Sequence, residues 1–160
     1  MRRVFAGLFA LLTIAAIEAR ARALAADGAD VIDLGCLPAT PFPHLEEAIA
    51  HLRSVGFKVS ADSFDTDELL RAGRAGADYL LSLREETLWL ADEVASTPVL
   101  IPGDAKDLAS LERAVAALER RGRSYLADAI LDPIHFGFTD SIVRYHALRR
   151  ACPDAPIMMG

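Results

Sequence analysis

Ala29-Asp30-Val31-Ile32-Asp33-Leu34 is a β-branched run that closes on Gly35, and what flanks it decides the fold. Before it, Ile14 to Ala26 is alanine-rich and helical, with Asp27-Gly28 as its stop. After it, Pro41-Phe42-Pro43 is a loop. His44 to Val55 then places Leu45, Ala48, Ile49, Leu52 and Val55 on one helical face until Gly56. The strand is a continuous apolar run rather than an in-out alternation, so both of its faces are expected to be covered.

The alternation repeats along the chain. Phe57 to Asp62 reads as a strand, and Asp65 can cap the helix carrying Leu69 and Leu70. Ala77 to Leu83 is the next strand, followed by a helix over Thr87 to Ala95. Pro98 to Pro102 is a short buried strand, and Leu108, Leu111, Val115 and Leu118 mark an amphipathic helix. Tyr125 to Leu131 is another strand, Ser141 to Arg150 is helical, and Pro156 to Met159 starts one more strand. Such alternation implies parallel pairing with helical crossovers. The spacing, roughly 25 residues per unit, suits a (β/α)8 TIM barrel. About six clear strands are present, so a single partial TIM-barrel domain over 1–160 is expected, a fragment or a barrel that partner chains complete. A doubly wound open sheet is the alternative, although no G-x-G-x-x-G follows the first strand.

With 160 residues, 52% hydrophobic and 25% charged, the chain can bury one core. A net charge of -6 without a lysine/arginine stripe argues against nucleic acid as the partner. Cys36 and Cys152 form no C-x-x-C, which favours two free thiols and a cytoplasmic location. The four histidines show no ligand spacing, so no metal bound by protein ligands is expected. Met1-Arg2-Arg3 and the apolar Val4 to Ile17 admit a signal peptide with Ala23-Leu24-Ala25 as its cleavage site. The same residues also read as a helix feeding the next strand, and the run is short for a membrane span.

In parallel barrels chemistry sits where strands end. Asp33, Asp62 and Asp132 lie at or near such ends. A carboxylate there suits a planar heterocycle with an amidine-like edge, because two N–H donors match its two oxygens. A pterin offers that edge through its 2-amino group and N3. Each aspartate could equally cap a helix or fix a turn. Thr40, Ser63, Ser82 and His135 also follow strands and join the candidates, though His135 reads equally as a loop residue packed on Phe136. Cys36 is favoured as a buried thiol over a nucleophile. Arg144 and His146 read as helix surface or structure, Trp89 and Tyr79 as packing.

Several segments resemble dihydropteroate synthases. Gly28-Ala29-Asp30-Val31-Ile32-Asp33-Leu34-Gly35 resembles their "GAD-IID-G" segment, and Val59-Ser60-Ala61-Asp62-Ser63 their "S-D-T/S" strand. Ala75-Gly76-Ala77-Asp78 matches "AGAD", and Ile130-Leu131-Asp132-Pro133 with Phe136-Gly137-Phe138 resembles "LDPG-GFG". The order and spacing agree over nearly the whole chain. Asp33-Leu34-Gly35-Cys36-Leu37-Pro38, Leu80-Leu81-Ser82-Leu83, Ile130 to Phe138, Ser141 to His146 and Pro156-Ile157-Met158-Met159-Gly160 look like a divergent branch associated with tetrahydromethanopterin biosynthesis.

The resemblance implies a small-molecule pterin substrate held by Asp62 and Asp132, with Asp33 matching the acid of an earlier strand. It implies a transferase joining a pterin-methyl pyrophosphate to an arylamine, in the manner of folate synthesis. Mg2+ would arrive with the pyrophosphate, and a homo-oligomer is compatible with it. The departures are definite. Cys36 to Pro41 replaces the family's "GEST-RP" loop and holds no arginine, and the "INDI" asparagine falls at Leu81 or Ser82. A pterin-binding barrel without catalysis, or an inactive truncated product, are the competing expectations.

Overall fold

The computed structural model describes residues 13–104 and 107–159. Strands β1 (Ile32–Gly35), β2 (Val59–Asp62), β3 (Tyr79–Leu83), β4 (Thr97–Leu100) and β5 (Leu126–Ala127) form a sheet in the order β1-β2-β3-β4-β5. β1 pairs with β2, β2 with β3 and β4 with β5, all in parallel. Neighbours in space are therefore neighbours in sequence. A doubly wound sheet reverses its strand order partway across, whereas a barrel does not. Helices α1 (Ile14–Ala26), α2 (Leu45–Ser54), α3 (Thr66–Arg74), α4 (Leu90–Glu93), α5 (Leu108–Arg120) and α6 (Phe138–Ala151) fall between the strands or flank them.

The residues group into two compact units, one running through Leu81 with Asp92–Ser96, the other comprising Ser82–Ala91 and the chain from Thr97. In the first, α1 packs on α2 and α2 on α3. Ile17, Ala21 and Leu24 of α1 are buried, as are Leu45, Ala48, Ile49 and Leu52 of α2. The Ala23-Leu24-Ala25 site thus lies within α1, while Met1 to Leu12 fall outside the described residues. Val55, expected on the buried face of α2, is 36% exposed. The helix has ended at Ser54, and Gly56 at φ 96° turns the chain away. Asp65 caps α3 as expected, accepting from the amides of Asp67 at 2.8 Å and Glu68 at 3.4 Å.

Beyond β3 three expected elements are shorter. In place of a helix from Thr87 to Ala95 there is a 3-10 turn at Glu85–Thr87 and then the single turn α4. The Thr87 hydroxyl accepts from the Arg84 amide and donates back to its carbonyl, which closes a tight turn. Trp89 is consequently exposed rather than packed. β5 stops at Ala127 instead of Leu131, because the Asp128 carboxylate accepts the Ile130 amide at 2.7 Å and curls the chain out of line. The final strand is reduced to one parallel bridge between Ile157 and Ala127.

Gly73 shows how closely the first unit is packed. A Cβ there would meet Val94 Cγ1 at 2.7 Å and its Cβ at 2.8 Å. Those atoms belong to a stiff β-branched side chain and cannot swing aside. Gly73→Ala should cost about 1–3 kcal/mol through overpacking. Val94→Ala in the same chain should return part of that loss. Urea melts of the two variants decide it, and an undiminished midpoint for Gly73→Ala would contradict the contact.

Candidate functional site

Parallel register builds the first half of the site. Asp33 stands opposite Ser60, and Gly35 opposite Asp62. Side chains two apart on a strand share a face, so Asp33, Ser60 and Asp62 form one polar group on one side of the sheet. Asp33 is 7% exposed and its Oδ1 accepts the Ser60 hydroxyl at 2.7 Å. Burial pushes its carboxyl up to about 6, with the Asp62 charge adding to the rise and the Ser60 bond opposing it. A carboxyl held there carries its charge at a cost and gains from any cationic or hydrogen-donating neighbour.

Beyond these strand ends lies a cavity of about 630 Å³, lined by the Cys36 to Pro41 loop and by Ser63, Glu68 and Arg71 among others. Thr40 and Ser63, both anticipated, line it. Glu68 was not anticipated. It sits on the buried face of α3 beside Leu69 and Ala72, and accepts the Ser63 hydroxyl at 2.6 Å. An acid on an apolar helical stripe was the available signal. Burial first, and then Glu68, push the Cys36 thiol up to about 12, so it stays protonated and is no nucleophile at neutral pH.

Arg71 is committed elsewhere. Its Nε and Nη2 donate to the Glu46 carboxylate at 2.7 and 2.9 Å, and Nη2 to the Phe42 carbonyl at 2.9 Å. The first turn of α3 carries Asp67 and Glu68 behind the Asp65 cap. Acids there occupy the positive end of the helix dipole that would otherwise attract phosphate. The cavity therefore favours hydrogen donors over anions.

Asp132 belongs to the second unit and lies in the loop beyond β5, not at a strand end. Its Oδ2 accepts the Arg144 guanidinium at 2.7 Å and the Ser141 hydroxyl at 3.1 Å. The Arg144 bond first, then Ser141, hold its carboxyl below the usual range. The acid at the true end of β5 is Asp128, 7% exposed and hydrogen-bonded by the Tyr145 hydroxyl. It escaped the sequence reading because an apolar run hid where the strand stops. Arg144, read as helix surface or structure, takes the structural part and ties this loop to α6. Ser82 lies on β3 at φ 68°, and His135 is exposed in the 3-10 turn Ile134–Phe136, beside an equally exposed Phe136. Asp33 and Asp62 thus share a sheet face, while Asp132 is held by its own partners. Among the described residues no group of His, Cys, Asp and Glu could hold a metal ion, and no helix is long and apolar enough to cross a membrane.

No family model and no curated protein sequence matches the chain. Solved structures do. Dihydropteroate synthase from Xanthomonas albilineans in complex with 7,8-dihydropteroate superposes with a TM-score of 0.69 at 24% identity, over 99% of this chain and 70% of that one. The Vibrio fischeri enzyme gives 0.76 at 16%, over 99% and 72%. The Burkholderia cenocepacia enzyme, also complexed with 7,8-dihydropteroate, gives 0.71 at 18%, over 100% and 71%. Likeness at these identities establishes the fold: this chain shares the barrel architecture of dihydropteroate synthases over about seven-tenths of their length.

Proposed function

We infer that this chain, folded as dihydropteroate synthases are, holds a reduced pterin, and that Asp33 and Asp62 accept hydrogen bonds from its ring edge. The observation that carries this is the buried Asp33–Ser60 pair on adjacent parallel strands, with Asp62, the last residue of β2, beside it on the same sheet face. A buried carboxyl such as Asp33, pushed up by its burial, is costly to ionise, and it is retained where a ligand supplies further donors.

The reaction that fits is transfer of a pterin-methyl group to an arylamine. The C–O bond to pyrophosphate breaks and takes its electron pair with it. The amine nitrogen forms a bond to the methylene carbon and then loses a proton. Carboxylates at the ring edge favour the positive charge that develops on the pterin. The Asp33 to Pro38, Leu80 to Leu83 and Ile130 to Phe138 segments support placing this step in tetrahydromethanopterin rather than folate synthesis. One observation favours a second reading, a pterin carrier without turnover. The loop from Cys36 to Pro41 has no arginine, and the neighbouring Arg71 is already bound to Glu46.

Titration with a reduced pterin, followed by addition of the pterin-methyl pyrophosphate and an arylamine, separates the two. Product supports the transferase, and binding without product supports the carrier. A chain that binds no pterin sinks both. Asp62→Asn should weaken pterin binding by about 1–3 kcal/mol, because an amide then faces ring donors with one of its own. Unchanged affinity would remove Asp62 from the site.

A further inference from the structure

Glu68 is a buried acid that the fold alone explains poorly. It is 8% exposed, on the face of α3 that also carries Leu69 and Ala72. Its Oε2 accepts the Ser63 hydroxyl at 2.6 Å, and the Cys36 thiol is hydrogen-bonded to the same side chain. Both partners are neutral, and neutral donors repay little of what burying an acid costs. Arg71, three residues on, lies within electrostatic reach of Glu68, yet its Nε and Nη2 are given to Glu46 and to the Phe42 carbonyl. A carboxylate has about four acceptor sites, so two donors leave room for more.

The room is there. Glu68, Cys36 and Ser63 all line the cavity of about 630 Å³, and every residue of its lining belongs to the first unit. That volume suits a small molecule. Leu37, Pro38, Pro41 and Phe64 give the cavity an apolar wall. Cys36 lies within electrostatic reach of Asp33 and Asp62 as well as Glu68, so the cavity adjoins the polar group on β1 and β2.

We propose that this cavity binds an aromatic amine that carries no carboxylate, and that Glu68 accepts its N–H. The inference rests on the pterin reading of Asp33 and Asp62 for its place in a reaction, and it names the class of amine brought to the pterin. The amino group supplies a donor to Glu68, and a flat apolar ring suits the wall of prolines and Phe64. A ligand carboxylate would instead meet Asp65, Asp67 and Glu68 in the lining, with Arg71 already paired to Glu46. Juxtaposed like charges reject such a ligand.

The test is a titration of the full chain with two probes of one shape, 4-aminobenzyl alcohol and 4-aminobenzoate, each with and without 6-hydroxymethyl-7,8-dihydropterin. Wild type should bind the alcohol about tenfold more tightly than the acid, or better. Glu68→Gln should weaken the alcohol about tenfold, as a charged acceptor becomes a neutral one, and should bring the two probes closer together. The amide oxygen can still take the Ser63 hydroxyl, so packing is kept. Phe64 is exposed, so Phe64→Ala should fold normally and weaken both probes several-fold. Equal binding of the probes, a preference for the acid, or an alcohol affinity unchanged in either variant overturns the proposal. Pterin binding without amine binding also overturns it and leaves the pterin reading standing. Amine binding without pterin binding does the reverse: the cavity keeps its ligand and the functional reading falls.

Discussion

Phe42→Ala should lower the unfolding free energy by about 3–5 kcal/mol. Phe42 is fully buried in the loop between β1 and α2, where a connecting segment ordinarily lies on the surface. Its ring meets His44 edge-on, with centroids 5.1 Å apart. Its carbonyl receives Arg71, whose fork also binds Glu46, so one residue ties the loop to α2 and α3 together. Truncation removes the ring's contacts and leaves a void that the flanking Pro41 and Pro43 are too stiff to close. Domains of this size are stable by about 5–15 kcal/mol, so such a loss is a large share of the whole. Phe42→Leu should cost clearly less, and Val55→Ala, at a half-exposed cap position, about 0.5 kcal/mol or less. Urea titrations followed by circular dichroism give all three. A Phe42→Ala chain within 1 kcal/mol of wild type would mean that the loop lining the cavity is not anchored by this ring.

The parts legible in the sequence are those fixed by local chemistry. Asp65 is readable as a cap because a short acid before a helical stripe has one dominant use, and the structure shows it in that use. α1 is readable because Asp27-Gly28 stops an alanine-rich run, and its bounds match. The grouping of Asp33 with Asp62 follows once β1 and β2 are taken as adjacent parallel strands, since like positions then share a face. What was not legible depends on contacts distant in sequence. The end of β5 is set by Asp128 bonding Ile130 and Tyr145, and nothing in the run Leu126 to Leu131 announces that an acid inside it is a turn-maker. Arg144 read as helix surface or structure with no partner named, because helical periodicity says which face a residue occupies, not that its side chain reaches back to a loop. Glu68 was passed over because a single acid on an apolar stripe is more often a misread face than a buried partner for Ser63 and Cys36.

Asp33→Asn should make the chain more stable at pH 8 and worse at its task. The Asp33 carboxyl is raised from 3.8 to about 6 in the folded state, so the native chain binds this proton more tightly than the unfolded one does. Its contribution is therefore most favourable below about pH 4. It is lost as pH rises through about 6, a span worth about 3 kcal/mol at the most. The lowered acids Asp132, Asp78, Glu46, Glu18 and Glu85 act with the opposite sign, losing stability as pH falls. Because they are common to both chains, they cancel in the difference between variant and wild type. That difference should shift in favour of Asp33→Asn by about 2–3 kcal/mol between pH 4 and pH 8. The amide oxygen can keep the Ser60 bond, so the change removes charge rather than packing. A difference independent of pH would show that Asp33 is not strained by its burial. If the shift appears and pterin affinity falls with it, the wild-type chain is retaining a destabilising charge for its ligand, the trade expected when a site is kept at the expense of the fold.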